Sequence, residues 1–319
     1  MEKSLNIAFQ ADKFSTFNPK TDSTYRLALE AQRRGHKVFH YEPENLIFCE
    51  NRLLATGNFV RLEPESFPAF VFTSAETIEL ASIDVLWLRQ DPPFDMGYLT
   101  TTYLLDLLPR TVQVVNNPFW VRNSPEKLLV LQFPDLIPPT LISRNYNAIQ
   151  KFRKKHGDIV IKPLYGNGGI GVFRISQNDS NLAALCEMFF NNSREPLIAQ
   201  KFLMDVFEGD KRIVLFDGEP VGALNRRPPE GEIRSNMHVG GEIQTAQLTE
   251  NEISICKKIE PTLRQKGFIF VGIDVIGNYL TEINVTSPTG IQEIEHFETV
   301  NLAEKIWLIL EKKHALHKN

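Results

Sequence analysis

The chain has 319 residues, of which 42% are hydrophobic and 23% charged, and its formal net charge is −4. That length exceeds one small core and predicts two or three domains, while the slight negative balance argues against a general nucleic-acid binder, which shows a basic stripe. The three cysteines (Cys49, Cys186, Cys256) are too far apart for a disulfide framework or a zinc site, no apolar leader segment opens the chain, and no apolar run approaches the ~20 residues that span a bilayer, so a soluble cytoplasmic protein is expected.

The first third alternates strand and helix. "LNIAF" is a buried-strand run, "TDSTYRLALEAQRRGH" is a helix capped by Asp22 or Ser23 and stopped at Gly35, and "HKVFHYE" is a second strand. This predicts a βαβ unit with a parallel pair, without the G-x-G-x-x-G of a dinucleotide fold. "IDVLWLR" is a further strand, ended by the prolines of "QDPPFD", and a helix over 98–108 and a strand over 113–116 follow. "NSPEKLLVLQF" starts a helix, with Ser124 as N-cap and Pro125 at the first position, and a domain boundary falls near it.

The middle third holds a basic helix, the segment "IVIKPLYGNGGIGVFRI", a helix around 182–190 and the strand "PLIAQKFL". Beyond it, "KRIVLFDGEPVGAL" is a hairpin turning at Asp217-Gly218, a long helix spans about 249–266, and two adjacent strands, "FIFVGIDVIG" and "NYLTEINV", precede a final amphipathic helix with a basic tail.

Four glycines crowd Gly166-Asn167-Gly168-Gly169-Ile170-Gly171. No Gly-Lys-Ser/Thr follows, so this is not a P-loop, and the strand-like "VFRI" makes it a hairpin. Such a hairpin can offer backbone N–H groups to phosphate and close over a nucleotide, with Lys162 beneath. It can equally be a turn whose glycines satisfy positive φ. The loop alone does not separate the two readings.

Asp274 lies mid-strand among apolar neighbours, and Glu282 and Asn284 are two apart on the next strand, hence on one face. Two buried acids side by side need a cation, and carboxylates with an amide suit Mg²⁺, with Mn²⁺ as the alternative ion. Facing Asp274 with Glu282 requires a three-residue turn at 277–279 or a bulge, since a plain two-residue turn puts them on opposite faces. Without metal the two carboxylates are expected to repel and one to hold a raised pKa. Arg212 and the loop "RRPPEGEIRSN" supply guanidiniums suited to carboxylate or phosphate. Together these features point to phosphoryl transfer from MgATP.

The combination "RQDPPFD", "IVIKPLYGNGGIGVFRI", "AQKFL", "EGDKRIVLFDGEPV" and "FVGIDVIGNYLTEINVTSPTGIQEIE" resembles the bacterial glutathione synthetases of the ATP-grasp superfamily, nearly end to end. The resemblance implies an α/β (α+β) protein: a Rossmann-like parallel-sheet domain over 1–123, then an ATP-grasp fold of two α+β subdomains over 124–203, carrying the glycine-rich lid, and 204–319, carrying the metal site. It implies that Lys127 and Lys162 contact ATP phosphates and that Gly166, Asn167, Gly168, Gly169, Ile170 and Gly171 form the lid over them. Gln200, Lys201, Phe202 and Leu203 are implied at the adenine and Asp210 at the ribose. Asp274, Glu282 and Asn284 are the implied magnesium ligands. Arg212, Arg227 and Arg234 are implied around the substrate carboxylate and the transferred phosphoryl group, and Asp91, Ser287, Pro288, Thr289 and Gly290 on the substrate side.

The implied reaction joins γ-glutamylcysteine to glycine through an acyl phosphate, by a homotetramer with no nucleic-acid or membrane partner. Gln90, Gly290 and Gln292 depart from common family residues, and Gln292 removes a possible charge contact. Two rivals are another ATP-grasp carboxylate–amine ligase, which would lack "DPPFD" and "NVTSPTGIQEIE", and a non-catalytic nucleotide-binding protein, which has no need of the acid set.

Overall fold

The computed structural model describes residues 4–235 and 240–317. The expected βαβ unit is β1 (Asn6–Ala11), α1 (Ser23–Arg33) and β2 (Lys37–Tyr41), with the strands parallel from Asn6–Lys37 to Gln10–Tyr41. Asp22, not Ser23, caps α1, its carboxylate accepting from the Tyr25 amide at 2.7 Å. The chain then makes an antiparallel excursion: β3 (Leu46–Cys49), β4 (Arg52–Leu62), β5 (Phe70–Phe72) and β6 (Glu76–Glu79), all organised around β4. β7 (Val85–Arg89) returns parallel to β1, α2 (Met96–Leu105) crosses, and β8 (Gln113–Val115) joins β7, so the backbone of the sheet runs β3-β4-β2-β1-β7-β8. Sequential strands leave β1 toward opposite sides, and the crevice beyond their carboxyl ends is where α/β sheets bind ligands. There the Asp91 amide donates to the Asp12 carboxylate at 2.9 Å.

The helix expected from Ser124 is shorter and differently capped. After α3 (Pro118–Arg122), the four-residue α4 (Glu126–Leu129) runs into a 3₁₀ turn; Pro125 takes the cap position with extended ψ, and the Ser124 hydroxyl has no partner among the described residues. The second sheet is small and wholly antiparallel, built from β9 (Thr140–Ser143), α5 (Tyr146–His156), β10 (Ile159–Pro163), β11 (Phe173–Ile175), α6 (Leu182–Asn192) and β12 (Leu197–Lys201) in the order β11-β10-β12-β9. It carries its own core around Ile149, Ile159, Ile161 and Leu182.

The third sheet has the order β15-β14-β13-β16-β17 and contains β13 (Asp210–Phe216), β14 (Glu219–Arg227), β15 (Glu242–Thr245), β16 (Phe270–Ile276) and β17 (Tyr279–Asn284). The β13–β14 turn is the expected tight one, with Asp217 and Gly218 both at positive φ (50° and 86°). α7 (Glu250–Gln265) starts on a capping box between Thr249 and Glu252. α8 (Ile291–Glu298) and α9 (Leu302–His317) complete the fold. α9 turns back to the first domain, where Trp307 Nε1 donates to the Leu27 carbonyl at 2.9 Å. Buried Asn116 ties the end of β8 to the third sheet: its amide nitrogen donates to the carbonyls of Phe270 and Val285, both at 2.7 Å, and its oxygen accepts from the amides of Ile269 and Phe270. This fully satisfied polar joint sets the angle between the first and third sheets.

Candidate active site between the three sheets

A cleft of about 500 Å³ lies where the small sheet faces the third sheet, closed at one end by the carboxyl end of β7. The glycine segment is the hairpin joining β10 to β11, and residues 166–170 line the cleft. Gly168, Gly169 and Gly171 have φ of +62°, +77° and +74°, values L side chains rarely adopt. Lys162 rises from β10 and Lys127 from α4, both buried; the Lys127 ammonium donates to the Gly166 carbonyl and to the Glu126 carboxylate. Burial opposes the charge on both lysines. For Lys127, Glu282 and Glu126 outweigh that cost and leave its pKa raised; for Lys162, burial prevails and its pKa is lowered. Burial, then Glu282, raises Glu126. Gln200, Lys201, Phe202 and Leu203 form one edge, the Gln200 amide donating to the Thr140 hydroxyl at 2.9 Å.

On the opposite wall Asp274 pairs directly with Glu282 across β16 and β17, and Asn284 lies two residues on, opposite Gly272, on the same face. The three-residue turn is absent: Ile276 pairs with Tyr279 across a two-residue turn, and a bulge between Asp274 and Val275 restores the facing register. Thr281 is the extra residue, and its hydroxyl donates to the Asp274 carbonyl at 3.0 Å. Among the described residues no three His, Cys, Asp or Glu side chains form a metal cluster. The donor set is two carboxylates and an amide, which fits a hard dication that keeps most of its shell for water and phosphate.

The carboxylates do not stand unpaired. Arg212 grips Asp274 with two bonds, at 2.5 and 3.0 Å, and Arg226 reaches the same carboxylate at 3.0 Å. Burial alone would raise the Asp274 pKa, but the two guanidiniums hold it well below the usual carboxylate range, so the raised value expected of one of the two acids is not found at Asp274. Glu282 lies 3.6 Å from Lys127 and 3.9 Å from Lys162. The carboxyl group that burial does push up, to about 6, is Asp210, despite the Arg226 guanidinium at 2.7 Å and the Ser235 hydroxyl at 3.0 Å; the charges of Asp274 and Glu282 add to the rise.

Arg226, which the sequence offered only as one guanidinium of the loop and which the resemblance passed over, lines the cleft, and Arg227 is a correction. Neighbours on a strand point to opposite faces. Arg226 on β14 is buried in the cleft wall, whereas Arg227 faces outward, its side chain 43% exposed and 3.8 Å from Glu208. Counting the register back from the Asp217-Gly218 turn would pair Asp210 with Asn225; a bulge between Val214 and Leu215 shifts the pairing by one and brings Asp210 opposite Arg226, so the sequence carried no direct signal. Arg234 lines the cleft, half-buried, paired with Glu232 at 2.5 Å and packed on Gly169, where an added Cβ would come within 3.2 Å of its Cδ.

Ser287, Pro288 and Thr289 line the far end with Asp91. Buried Arg89 holds this loop by donating to the Pro288 carbonyl at 2.8 Å. Gly290 does not line the cleft; it precedes α8 at φ +117°. Gln292 turns away and donates to the Asp22 carbonyl at 2.6 Å, and Gln90 accepts from Gln10 and Thr101.

A nucleotide-sized cleft between two α+β subdomains, roofed by a glycine hairpin and floored by lysines and strand-borne acids, defines an ATP-grasp ligase. The family models for the prokaryotic glutathione synthetase N-terminal domain and ATP-grasp domain match residues 5–122 and 126–299. The chain belongs to the prokaryotic glutathione synthetase family. It is 51% identical to the glutathione synthetase of Agrobacterium fabrum over 98% of both chains, and 51% identical to that of Brucella melitensis over 97% of this chain and 99% of the relative. Among solved structures, a Chryseobacterium gregarium RiPP-associated ATP-grasp ligase shares the fold with a TM-score of 0.66 at 15% identity, covering 98% of this chain and 97% of its own. The D-alanyl-alanine synthetase A of Vibrio cholerae does so at 0.62 and 14%, covering 99% of both.

Proposed function

We propose that the cleft joins γ-L-glutamyl-L-cysteine to glycine, using ATP and releasing ADP and phosphate. The observation that carries the reading is the facing of Asp274 and Glu282 beneath Lys127, Lys162 and the glycine hairpin, in a chain of this family. The adenine lies against Gln200 to Leu203 and the ribose near Asp210. Asp274, Glu282 and Asn284 would hold Mg²⁺ or Mn²⁺, which neutralises phosphate charge when bound.

The dipeptide's cysteinyl carboxylate attacks the γ-phosphorus, the bond to the ADP oxygen breaks, and an acyl phosphate forms. The glycine amine then attacks the acyl carbon, loses a proton, and phosphate leaves. Arg212, Arg226 and Arg234 orient the anionic groups through both steps, and the hairpin shields the acyl phosphate from water. No enzyme nucleophile is needed. Asp91 and the 287–289 loop hold the dipeptide side.

Phosphate release with MgATP, γ-glutamylcysteine and glycine, omitting each in turn, tests the reading; release that does not require the dipeptide would refute it. Among the described residues no helix is long and apolar enough to cross a membrane. A homotetramer is supported by apolar side chains left exposed on the antiparallel excursion, Ile47, Phe48 and Phe72 among them, and light scattering tests it.

A further inference from the structure

An apolar recess of about 30 Å³ adjoins the cleft. It shares Pro92, Glu126, Asn167 and Thr286 with the cleft, which places it beside the end where Lys127 meets Glu282. Three aromatic rings wall it: the Phe94 centroid lies 5.1 Å from that of Tyr98 and 6.2 Å from that of Tyr165. Leu164 and Val285 complete the apolar lining. Phe94 belongs to the "DPPFD" turn and Tyr98 to α2, whereas Tyr165 opens the glycine hairpin, so one wall arrives with the roof of the cleft.

The recess has room for about two non-hydrogen atoms, judged by the space one water needs. Its one carboxylate, Glu126, is already paired with Lys127, so a charged occupant would be buried without a free counter-ion. A small apolar group with a polarisable atom fits, because sulfur packs favourably against aromatic ring edges. Of the groups around the reacting carboxylate, one has this character. The cysteinyl CH₂–SH is attached one carbon from that carboxylate and contributes two heavy atoms, whereas the glycine nucleophile carries no side chain.

We infer that this recess seats the cysteinyl side chain of the dipeptide, with its sulfur among Phe94, Tyr98 and Tyr165, and so selects the residue that is activated. The inference rests on the ligase reading above. The thiol takes no part in bond making; the three rings are specificity-determining, and Tyr165 links occupancy of the recess to the seating of the hairpin.

The test compares kcat/KM for γ-glutamylcysteine, γ-glutamylserine and γ-glutamylmethionine, with MgATP and glycine, in the wild type, Phe94→Leu and Tyr165→Leu. The wild type should prefer the cysteinyl over the methionyl dipeptide, since a longer chain does not fit; the buried Tyr98 hydroxyl has no partner among the described residues, so the seryl dipeptide, of the same size, should be accepted next. Both variants should narrow the cysteinyl-to-methionyl preference by about 10-fold, the scale of discrimination by pocket size, with the KM for glycine within about two-fold. Tyr165 is 41% exposed, so its replacement spares the fold if Phe94→Leu does not. An equal loss with all three dipeptides, or a change confined to the KM for glycine, would overturn the inference. A wild type inactive with γ-glutamylcysteine would instead refute the ligase reading, and the inference with it.

Discussion

The two walls of the cleft hold charge by opposite means. On the small sheet, Lys162 is buried with its pKa lowered, Lys127 leans on a backbone carbonyl of the hairpin, and the hairpin itself contributes peptide groups and little packing. On the third sheet the charges are paired in advance by strand register: Asp210 faces Arg226, Arg212 faces Asp274, and Asp274 faces Glu282. Cross-strand neighbours lie about 5 Å apart, so antiparallel register alone brings these groups together. The difference teaches a division of labour. The third sheet carries most of its own counter-charges, although one Asp210 oxygen has no hydrogen-bond partner among the described residues, and Glu282 meets the lysines of the opposite wall.

The largest test of this contrast is Glu282→Gln, at the point where the walls meet. Turnover should fall by about 100-fold or more, as expected for loss of a preorganised charge contact. Repulsion between bare carboxylates would make the variant more stable, but Glu282 lies within 4 Å of two lysines and Asp274 is held by two arginines. The melting temperature of the ligand-free variant should therefore not rise; a clear rise would mean that the floor is not paired in advance.

Next in size is the pair Arg226→Ala and Arg227→Ala. Removing Arg226 leaves Asp210 and Asp274 short of a counter-ion in the cleft wall, and turnover should fall by about 10²–10³-fold. Among the described residues Arg227 pairs with Glu208 at the surface, and its loss should cost less than about three-fold, as exposed pairs contribute little. Steady-state rates at saturating substrates decide it, and equal losses would erase the inside–outside distinction.

Much of this was legible in local sequence, and the reasons for the remainder are physical. The capping box at Thr249 and Glu252, the Asp217-Gly218 turn and the glycine hairpin depend on neighbours a few residues apart, and they occur where the sequence placed them. In the β3–β6 excursion β3 and β6 were not legible, because they are short, mostly exposed and held by pairing with β4 and not by a periodic apolar pattern of their own. The facing of Asp274 and Glu282 was legible only as a condition, since a turn type or a bulge decides it; the bulge at Thr281 did. Arg226 and Arg227 are chemically alike, and only the strand register tells which one is buried.

A pH series sharpens the picture of the floor. Burial pushes the Asp210 carboxyl up to about 6 in the folded chain, above its ordinary value of 3.8. A carboxyl raised on folding contributes stability below its unfolded pKa, and that contribution is lost as pH rises through the folded one. Urea unfolding of the wild type between pH 4 and about 6 should therefore show a downward component that Asp210→Asn lacks. Asp274, lowered on folding, acts with the opposite sign, losing its contribution only as pH falls below the unfolded range. Parallel pH profiles for the wild type and Asp210→Asn would place Asp210 in a solvated, not a buried, setting.

The smallest effect concerns Gln292, which departs from a common family residue and removes a possible charge contact. In the structure its amide donates to the Asp22 carbonyl at 2.6 Å, joining the first turn of α8 to the N-cap of α1, away from the cleft. A single neutral hydrogen bond contributes about 1 kcal/mol net. Gln292→Ala should thus lower unfolding stability by about that amount and leave the KM for the dipeptide and for glycine unchanged. The two readouts separate the roles: a stability loss with constant KM makes Gln292 a strut between domains, whereas a KM shift at unchanged stability would place it at the substrate site.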